Sequence, residues 1–413
     1  MPSGLCRGGE WRHICSDGGA VSASRKNALM PSANAQWLCH GDRRADVFTG
    51  EISRTLYNGG AMENRVIERA GTVANEFRLD GKAVDLEPLG KGHINDTFLV
   101  TTEGGGVYVL QRVNPIFAAT VLEDIDVLTR EMKRAGFTTT ELVPTRTGEL
   151  GSVISGELWR VLTYIRGQTL EEGITENRAR NAMGFLAKFH HTFADHDYIF
   201  RHVREGFHDT PRIMATLEET TRMYTGTKKS AALADLSGDI LAAYGKTPHA
   251  WAHLPKRIIH GDPKLNNIRF AEHSDEAVAL LDLDTLGRHS VVVDIADAAR
   301  SWCNRADEGD ERGASFDLGT FRAMAEGYAE HADFLTAEER RSIPGAILQI
   351  ALELGARFAT DAYRESYFKL DRTRYPDLFT QNFAKARAQF ALYRDVKKKL
   401  PDIAAQAENI DKT

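Results

Sequence analysis

The sequence predicts a two-lobe α+β protein in which a small antiparallel β lobe precedes a larger, mainly helical lobe. Short β-type runs separated by glycine-containing turns occupy the stretch from Val84 to Ile165. Beyond Gly167, apolar residues recur at helical spacing, as in ENRARNAMGFLAKFHHTF. We therefore expect a β-rich lobe over residues 62–166 and a mainly helical lobe over residues 167–413.

Composition and charge are those of an ordinary soluble globular protein. A length of 413 residues suits about two or three domains. The formal net charge of −6 argues against a general nucleic-acid-binding protein, and no apolar run reaches the roughly 18 residues of a membrane span. The four cysteines form no C-x-x-C pair, which indicates reduced thiols in a cytoplasmic protein. We accordingly expect neither a nucleic-acid nor a membrane partner, and the oligomeric state stays open.

Residues 1–61 differ from the rest of the chain. They are rich in Gly, Ser, Ala and Arg, contain three of the four cysteines and lack sustained periodicity. They also lack the continuous apolar segment of a secretory signal. A helical pattern begins at Met62, so we expect residues 1–61 to be either a disordered extension or the result of a start assigned upstream of the true Met62.

The stretch IIHGDPKLNNIRF, followed after a short gap by AVALLDLDT, carries the residues that phosphoryl transfer needs. Asp262, Lys264 and Asn267 stand as D-x-K-x-x-N between two apolar β-type runs, and Asp282 ends the second run. In a kinase catalytic segment, H-x-D-x-x-x-x-N precedes a strand that leads to a metal-binding Asp. One carboxylate can then orient the accepting hydroxyl, while an amide and a second carboxylate hold magnesium on the phosphates. A solvated turn would explain the polar residues but not this spacing.

A glycine-rich turn precedes this segment in the order that kinases show. Gly90 and Gly92 are the first two positions of a G-x-G-x-x-G spacing, and Asn95, which tolerates positive φ, takes the third. On the strand VYVLQRV, Gln111 stands at the position of the kinase lysine and Arg112 follows it. Because neighbouring strand residues face opposite sides, Arg112 supplies the charge only if a bulge redirects it. Otherwise Gln111 gives neutral hydrogen bonds and Arg112 is a solvated strand residue.

Two further features complete the expected nucleotide site. Glu123 and Glu131 lie on a helix predicted over residues 118–135 and are candidates for a carboxylate that pairs with the strand-three cation. Thr163 and Ile165 lie where the last strand ends, and their backbone groups are candidates to pair with the adenine edge at a hinge between the lobes.

Several acids and one proline mark the helical lobe. In VVVDIADAARSW, either Asp294 or Asp297 is expected to brace the catalytic loop or to face the acceptor pocket. Thr336-x-x-Glu339 is a capping-box pattern, which predicts a helix start. Pro344 predicts a further helix start eight residues later.

With these residues, the chain resembles the aminoglycoside phosphotransferase and choline kinase superfamily, which has a protein-kinase-like two-lobe fold. The likeness lies in the blocks LGKGHINDTF, YVLQRVN, FHDTP, HGDPKLNN, LLDLDT and ELGARFATDAYRESYF, spread over about residues 77–398. Within the superfamily, the GHINDTF and LQRVN blocks are most similar to N-acetylhexosamine 1-kinases.

This resemblance implies a small-molecule kinase that uses ATP and Mg²⁺, with Asp262 as the catalytic base. It implies Asn267 and Asp282 as magnesium ligands and Lys264 as a contact of the γ-phosphate. Asp284 would share the face of Asp282 and is expected to assist metal or acceptor binding. Gln111 in place of the lysine looks normal in the sugar-kinase branch.

The favoured acceptor is a sugar, through the anomeric 1-OH of an N-acetylhexosamine or a related hexose. An aminoglycoside or choline-like amino-alcohol phosphotransferase is the first alternative. A catalytically silent nucleotide-binding protein is the second, although Asp262 and Asp282 are both retained. The candidate acceptor-pocket residues are all charged and would equally suit buried interhelical ion pairs: Asp209, Asp284, Arg300, Arg357 and Asp361.

Overall fold

The computed structural model describes residues 69–89, 94–171, 173–247 and 249–411. All of them belong to the compact unit Gly59–Thr413. The extension predicted over residues 1–61 lies outside the described residues, as do Gly90 and Gly92, so these predictions stay untested.

A six-stranded antiparallel sheet forms the first part of the described chain. It contains β1 (Ala83–Pro88), β2 (Asp96–Thr102), β3 (Val107–Arg112), β4 (Leu142–Val143), β5 (Ser152–Ile154) and β6 (Glu157–Thr163). The strand order is β1-β2-β3-β6-β4, and β5 pairs with β6. One of the glycine-containing turns expected between the strands joins β2 to β3, and Gly105 in it takes φ of 81°, a conformation that glycine adopts without steric cost.

Alternation along the strands gives this sheet two different faces. Phe98, Val100, Trp159 and Val161 are buried on one face, where the rings of Phe98 and Trp159 stack with centroids 6.5 Å apart. A helical segment at residues 69–74 contributes its apolar side chains to the same cluster. This face therefore forms part of a small apolar core, and only the polar side chains of the opposite face can contribute to the site.

Besides the helical segment at residues 69–74, the described chain contains nine α-helices, and four short strands are placed among them. The longest helix, of 28 residues, packs against five others and lies at the centre of the large apolar core. None of the described helices is both long enough and apolar enough to cross a membrane. The helices are α1 (Val121–Arg134), α2 (Glu176–Thr192), α3 (Thr210–Met223), α4 (Lys228–Tyr244), α5 (Val291–Trp302), α6 (Leu318–Ala329), α7 (Ala337–Arg364), α8 (Leu378–Lys398) and α9 (Leu400–Glu408), and the strands are β7 (Arg257–Ile259), β8 (Ile268–Phe270), β9 (Ala277–Leu280) and β10 (Gly287–His289).

The long helix α7 confirms one predicted boundary and corrects another. The Thr336–Glu339 capping box is formed in both directions and begins the helix. Pro344 does not begin a new helix, as the sequence predicted, but lies inside α7. An internal proline costs about 3 kcal/mol, whereas each fully buried aliphatic side chain contributes about 1.5–3 kcal/mol. Ile343 and Ile347 are both fully buried beside it, so packing keeps the helix continuous.

Gly167 lies where the chain leaves the sheet and meets β8. Gln168 N donates to Phe270 O at 2.9 Å, and Phe270 N donates back to Gln168 O at 2.9 Å. Gly167 has φ of 138°, and a Cβ at this position would stand 2.2 Å from the Phe270 carbonyl oxygen. Only glycine fits this close backbone approach without a shift of the chain.

We expect Gly167→Ala to lower the free energy of unfolding by about 2–5 kcal/mol, because a steric clash adds to an unfavourable φ. Gly105→Ala is the matched control, since Gly105 also has positive φ but has no heavy atom within 4 Å of an added Cβ. The free energy of unfolding of that variant should fall by about 1–2 kcal/mol, the cost of the left-handed conformation alone. Urea unfolding followed by tryptophan fluorescence gives both values. Equal losses in the two variants would contradict the close approach.

Candidate active site

The loop between β7 and β8 carries the predicted catalytic set. Lys264 Nζ lies 2.6 Å from Asp262 Oδ2, and Asn267 Nδ2 donates to the Asp262 carbonyl oxygen at 2.8 Å. A 3-10 turn at Leu265–Asn267 brings the asparagine back towards the aspartate. The D-x-K-x-x-N spacing thus brings the side chains of Lys264 and Asn267 close to Asp262.

The Asp262–Lys264 pair is held in its ionised form. Burial alone would raise the pKa of Asp262, but the Lys264 ammonium outweighs burial and holds that pKa below its usual value. Burial would likewise lower the pKa of Lys264, yet the charges of Asp262 and Asp282 raise it. Around neutral pH, the chain therefore presents a carboxylate and an ammonium side by side.

Asp294 braces the catalytic loop from the first turn of α5. Its carboxylate accepts from His260 N at 2.7 Å and Gly261 N at 2.8 Å, and His190 Nε2 lies 2.9 Å from Oδ2. Burial would raise the pKa of Asp294, but the hydrogen bond and charge of His190 hold it low. Gly261 has φ of 86°, and a Cβ there would lie 2.4 Å from Thr285 O. The bracing role predicted for one of the two α5 acids is thus confirmed for Asp294.

Asp282 lies two residues after the end of β9 and has the donor chemistry of a metal ligand. It adopts the left-handed conformation, with φ of 60°, which is uncommon outside glycine and often marks a functional site. Among the described residues, no hydrogen-bond donor reaches its carboxylate. Burial and the charge of Asp284 both raise the pKa of Asp282. A nearby divalent cation would relieve that repulsion, and the Asn267 amide oxygen, opposite the nitrogen that binds Asp262, is a second ligand of the type Mg²⁺ prefers.

A buried ion pair lies behind Asp282. Arg160, from β6, is 1% exposed and binds both carboxylate oxygens of Asp284, with Nη2 at 2.7 Å from Oδ2. Gln111 Oε1 accepts from Arg160 Nε at 2.9 Å, and Asn95 Nδ2 donates to Asp284 Oδ2 at 2.7 Å. Asp284 is therefore held by the sheet and does not line the acceptor cavity, which corrects the acceptor role considered for it.

Arg112 lies on the face of β3 opposite to Gln111, so the interpretation that a bulge redirects it towards the cleft is wrong. The register of β3 with both neighbouring strands is regular at these positions. Arg112 pairs instead with Asp96 and Glu157, and Arg69 also contacts Glu157 at 2.7 Å. Alternation of side chains along a strand is the reason, because the face of Arg112 is the one covered by residues 69–74.

The two glutamates proposed as partners of a strand-three cation pair elsewhere. Glu123 contacts Arg201, and Glu131 contacts Arg134 on its own helix. Both therefore lie on the outside of α1, and that interpretation is wrong. On the face of the sheet that meets the site, the cation is Arg160 of β6, and its carboxylate partner is Asp284.

The predicted hinge backbone is already engaged. Thr163 N donates to Glu141 O at 2.9 Å within the sheet, and the Ile165 carbonyl accepts from Arg269 Nε at 2.9 Å. The Ile165 carbonyl thus has one donor already and a second lone pair left, and the roles given to Thr163 and Ile165 stay predictions.

A cavity of about 340 Å³ opens in front of the catalytic loop. Asp262, Lys264 and Asp282 line it together with Arg300 and Arg357, as predicted for an acceptor pocket. Asp297 also faces it and accepts from Arg300 Nε at 2.8 Å. The aromatic residues that line it are Phe117, Phe207, Trp302, Phe358, Tyr367, Phe368 and Tyr375.

Two other predicted acceptor residues have structural roles. Asp209 is exposed and caps α3, where its side chain accepts from Arg212 N at 3.2 Å. Asp361 is buried at the end of α7, and its carboxylate accepts from Tyr367 N at 2.9 Å and from Asn382 Nδ2 at 2.9 Å. These carboxylates therefore hold backbone and side chains of the protein itself.

The geometry of the loop between β7 and β8 agrees with the family resemblance found in the sequence. The profile of the phosphotransferase enzyme family (APH) matches residues 85–334, which include the sheet, the catalytic loop and α5. The chain belongs to this family. It is accordingly a phosphotransferase, and the predicted superfamily is confirmed, whereas the special likeness to N-acetylhexosamine 1-kinases stays a prediction.

Solved structures of similar fold have low sequence identity to this phosphotransferase. An aminoglycoside phosphotransferase from Alicyclobacillus acidocaldarius is 15% identical with a TM-score of 0.53, covering 84% of this chain and 98% of its own. Choline kinase from Cryptosporidium parvum is 10% identical with a TM-score of 0.52, covering 82% and 96%. An amicoumacin kinase, solved with AMP-PNP, Ca²⁺ and Ami, is 15% identical with a TM-score of 0.52, covering 82% and 93%. These matches confirm the predicted α+β, protein-kinase-like fold.

Arg160 escapes prediction from the sequence. Its only signal is a charge between Trp159 and Val161 in an otherwise apolar strand. Its partner Asp284 lies 124 positions away, so no local spacing reveals the pair. The same holds for His208, whose Nδ1 lies 2.9 Å from Glu353 Oε1 across 145 positions.

We expect Arg160→Met to lower the free energy of unfolding of the phosphotransferase by about 3–5 kcal/mol, because it leaves the Asp284 carboxylate buried without its cation. The double variant Arg160→Met/Asp284→Leu should lose less than the sum of the two single variants, since it removes both charges. Urea denaturation of the four proteins measures the coupling.

The exposed pair Arg130–Asp126 on α1 is the matched control for this cycle. Its coupling should stay at or below about 0.5 kcal/mol. A loss below about 1 kcal/mol in Arg160→Met would show that the buried pair is not needed to hold the two parts of the site together.

Proposed function

We propose that the protein is an ATP- and Mg²⁺-dependent kinase that transfers the γ-phosphate to a sugar hydroxyl, the anomeric 1-OH of an N-acetylhexosamine or a related hexose. The proposal rests on one observation: the ionised Asp262 faces a cavity that Lys264 and Asp282 also line. The volume of about 340 Å³ lies within the usual range of small-molecule sites. An acceptor hydroxyl and a nucleotide phosphate can thus meet at one carboxylate.

In this proposal, Asp262 orients the acceptor hydroxyl and takes its proton. A carboxylate of low pKa is a weak base, so its main contribution is position. An anomeric hydroxyl suits such a base because it is more acidic than an ordinary alcohol. Lys264 keeps Asp262 ionised and offers a positive charge near the transferred group, and Asn267 fixes the loop through the Asp262 carbonyl.

Asp282 and the Asn267 amide oxygen are the groups that would hold the magnesium ion. The ion, when bound, offsets charge on the phosphate oxygens. Asp284 would act through its contact with Arg160, which fixes the turn that carries Asp282. The prediction of Asp282 as the first metal carboxylate is retained.

An aminoglycoside or choline-like acceptor is the second candidate. Acids on the cavity wall, including Asp307 and Glu308, favour a cationic acceptor. These two acids, however, already pair with Arg374 and Lys385 at 2.7 Å each, which reduces what they offer to a ligand. The sugar assignment draws on the GHINDTF and LQRVN blocks and on the aromatic rings that line the cavity.

We expect Asp262→Asn to lower kcat by about 10²–10⁴-fold, the contribution of a positioned base, with nucleotide affinity close to that of the wild type. Asp282→Asn is the comparison and should weaken binding of the magnesium nucleotide as well as the rate. Steady-state kinetics and calorimetric titration with AMP-PNP at several Mg²⁺ concentrations separate the two effects. Retention of more than about a tenth of kcat in Asp262→Asn would remove Asp262 from its role.

The chemical position of the product phosphate tests the acceptor. Free hexoses, N-acetylhexosamines, choline and aminoglycosides are screened for ATP-dependent phosphate transfer, and the product is characterised by phosphorus NMR before and after brief mild acid. We expect a glycosyl phosphate that mild acid hydrolyses, because the anomeric C–O bond breaks readily. An acid-stable monoester, or transfer only to choline or an aminoglycoside, would contradict the sugar 1-kinase proposal.

A further inference from the structure

Two arginines converge at one side of the acceptor cavity. Arg204 precedes α3, Arg357 lies on α7, and both are half-buried in the cavity wall. Their guanidinium carbons lie 4.2 Å and 5.9 Å from the centroid of the Phe207 ring. Both also donate to the Tyr367 hydroxyl, Arg357 Nη2 at 3.4 Å. Aromatic faces and one hydroxyl thus fix two guanidinium groups beside each other.

Within the described part of the chain, neither arginine has an ion-pair partner. This separates them from the other cations of the same cavity. Lys264 pairs with Asp262, and Arg300 pairs with Asp297. Arg374 pairs with Asp307 and Lys385 with Glu308. The cavity therefore carries two positive charges in one place that the described protein groups leave unmatched.

Two acids of α7 close to Arg357 in the chain are engaged with other groups. Glu353 is one helical turn from Arg357, but His208 Nδ1 lies 2.9 Å from Oε1 and Thr210 Oγ1 donates to Oε2 at 2.6 Å. The Asp361 carboxylate accepts three backbone N–H groups, those of residues 366–368, and the Asn382 amide. Those backbone contacts hold Tyr367 in place, so Asp361 supports the arginine pair without neutralising it.

Bringing two guanidinium groups together out of bulk water is unfavourable without an anion, since their charges repel and lose hydration. Stacking on aromatic rings offsets only part of that cost, about 0.5–2 kcal/mol for each contact. Planar guanidinium forks match carboxylate and phosphate oxygens, and such charge-assisted hydrogen bonds are about twice as strong as neutral ones. The arrangement is that of an anion subsite in the acceptor cavity.

We propose that Arg204 and Arg357 bind an anionic group of the acceptor, so that the sugar carries a carboxylate or a phosphate away from its reacting hydroxyl. The inference rests on the proposed sugar-kinase function and, of the two acceptors proposed there, selects a related hexose in acidic form over the N-acetylhexosamine. A polycationic or quaternary-ammonium acceptor is disfavoured by the same two charges. Neutral N-acetylhexosamines lack a group that would match them.

Wild-type enzyme and matched acceptors give the first test. Glucose is compared with glucuronate, which adds a carboxylate, and with glucose 6-phosphate, which adds a phosphate, by following ADP release. We expect kcat/KM to be about 10–100-fold higher for one of the two acidic sugars than for glucose, the effect of one or two charge-assisted contacts. The acidic sugar that the enzyme uses better shows which anion the site binds. Potassium chloride should raise KM for that acid and leave KM for glucose unchanged. Equal or better use of glucose or N-acetylglucosamine would overturn the proposal.

Variants give the second test. Arg204→Gln/Arg357→Gln should raise KM for the acidic sugar about 10–100-fold with little change in kcat, and should leave kcat/KM for glucose nearly as it was. Arg130→Gln, an exposed arginine on α1, is the control and should change neither. Thermal melts check that the double variant folds; if it does not, the salt dependence of the wild type decides. Persistence of the acidic preference in a folded double variant would overturn the proposal.

Calorimetry separates failure of this inference from failure of the proposed function. Glucuronate and glucose 6-phosphate are titrated into wild-type and double-variant protein in the presence of Mg²⁺ and AMP-PNP, where no turnover occurs. If no sugar is phosphorylated but either acid binds only to the wild type, the sugar-kinase function fails and the anion subsite stands. If neither acid binds the wild type at millimolar concentration, the anion subsite fails, whatever the outcome of the sugar screen.

Discussion

The buried ion pair between Arg160 and Asp284 is the contact on which the arrangement of the site depends. It joins the central strand β6 to the short turn that follows Asp282, two segments with no sequence proximity. Burial of two charges costs several kcal/mol for each ion, and here the cost is offset by two-point contact, by the hydrogen bond that Arg160 donates to Gln111 and by the one that Asn95 donates to Asp284. Because every nitrogen of Arg160 is engaged, its part in the site is to position other groups rather than to bind phosphate.

A second anchor, Asp294, acts on the other half of the site. It holds the backbone N–H groups of His260 and Gly261, while the Arg160–Asp284 pair holds the turn after Asp282. The two ends of the reacting set are thus fixed to different parts of the fold, one to α5 and one to the sheet. Preorganised groups of this kind need little rearrangement when charge moves during transfer. The pKa of Asp282 is raised in this arrangement because its carboxyl is buried and because the charge of Asp284 acts on it.

The parts of the molecule that the sequence predicts are those that local spacing determines. D-x-K-x-x-N lies within six residues, so one turn brings Asp262, Lys264 and Asn267 together. The turn at Gly105 between β2 and β3 and the Thr336 capping box are local in the same sense. The helix start predicted at Pro344 is wrong, and the two alternatives for Arg112 could not be separated, because tertiary packing decides both: buried aliphatic side chains keep α7 continuous, and the regular strand register turns Arg112 to the covered face. Pairs separated by more than a hundred positions, such as Arg160–Asp284, leave no local pattern.

Acceptor selectivity follows from the pairing of charges rather than from their number. The cavity carries many acids and many bases, and the formal net charge of −6 would suggest attraction of cations. Most of those charges, however, are matched within the wall, and a matched pair exerts little field on a ligand a few ångströms away. Among the described residues, the charges that stay unmatched are Asp282, beside the Asp262–Lys264 pair at one end of the cavity, and Arg204 with Arg357 at the other. In the proposed reaction, Asp282 would hold the metal on the nucleotide phosphate and the two arginines would bind the anion of the acceptor, while Asp262 would orient the hydroxyl of whichever acceptor is bound.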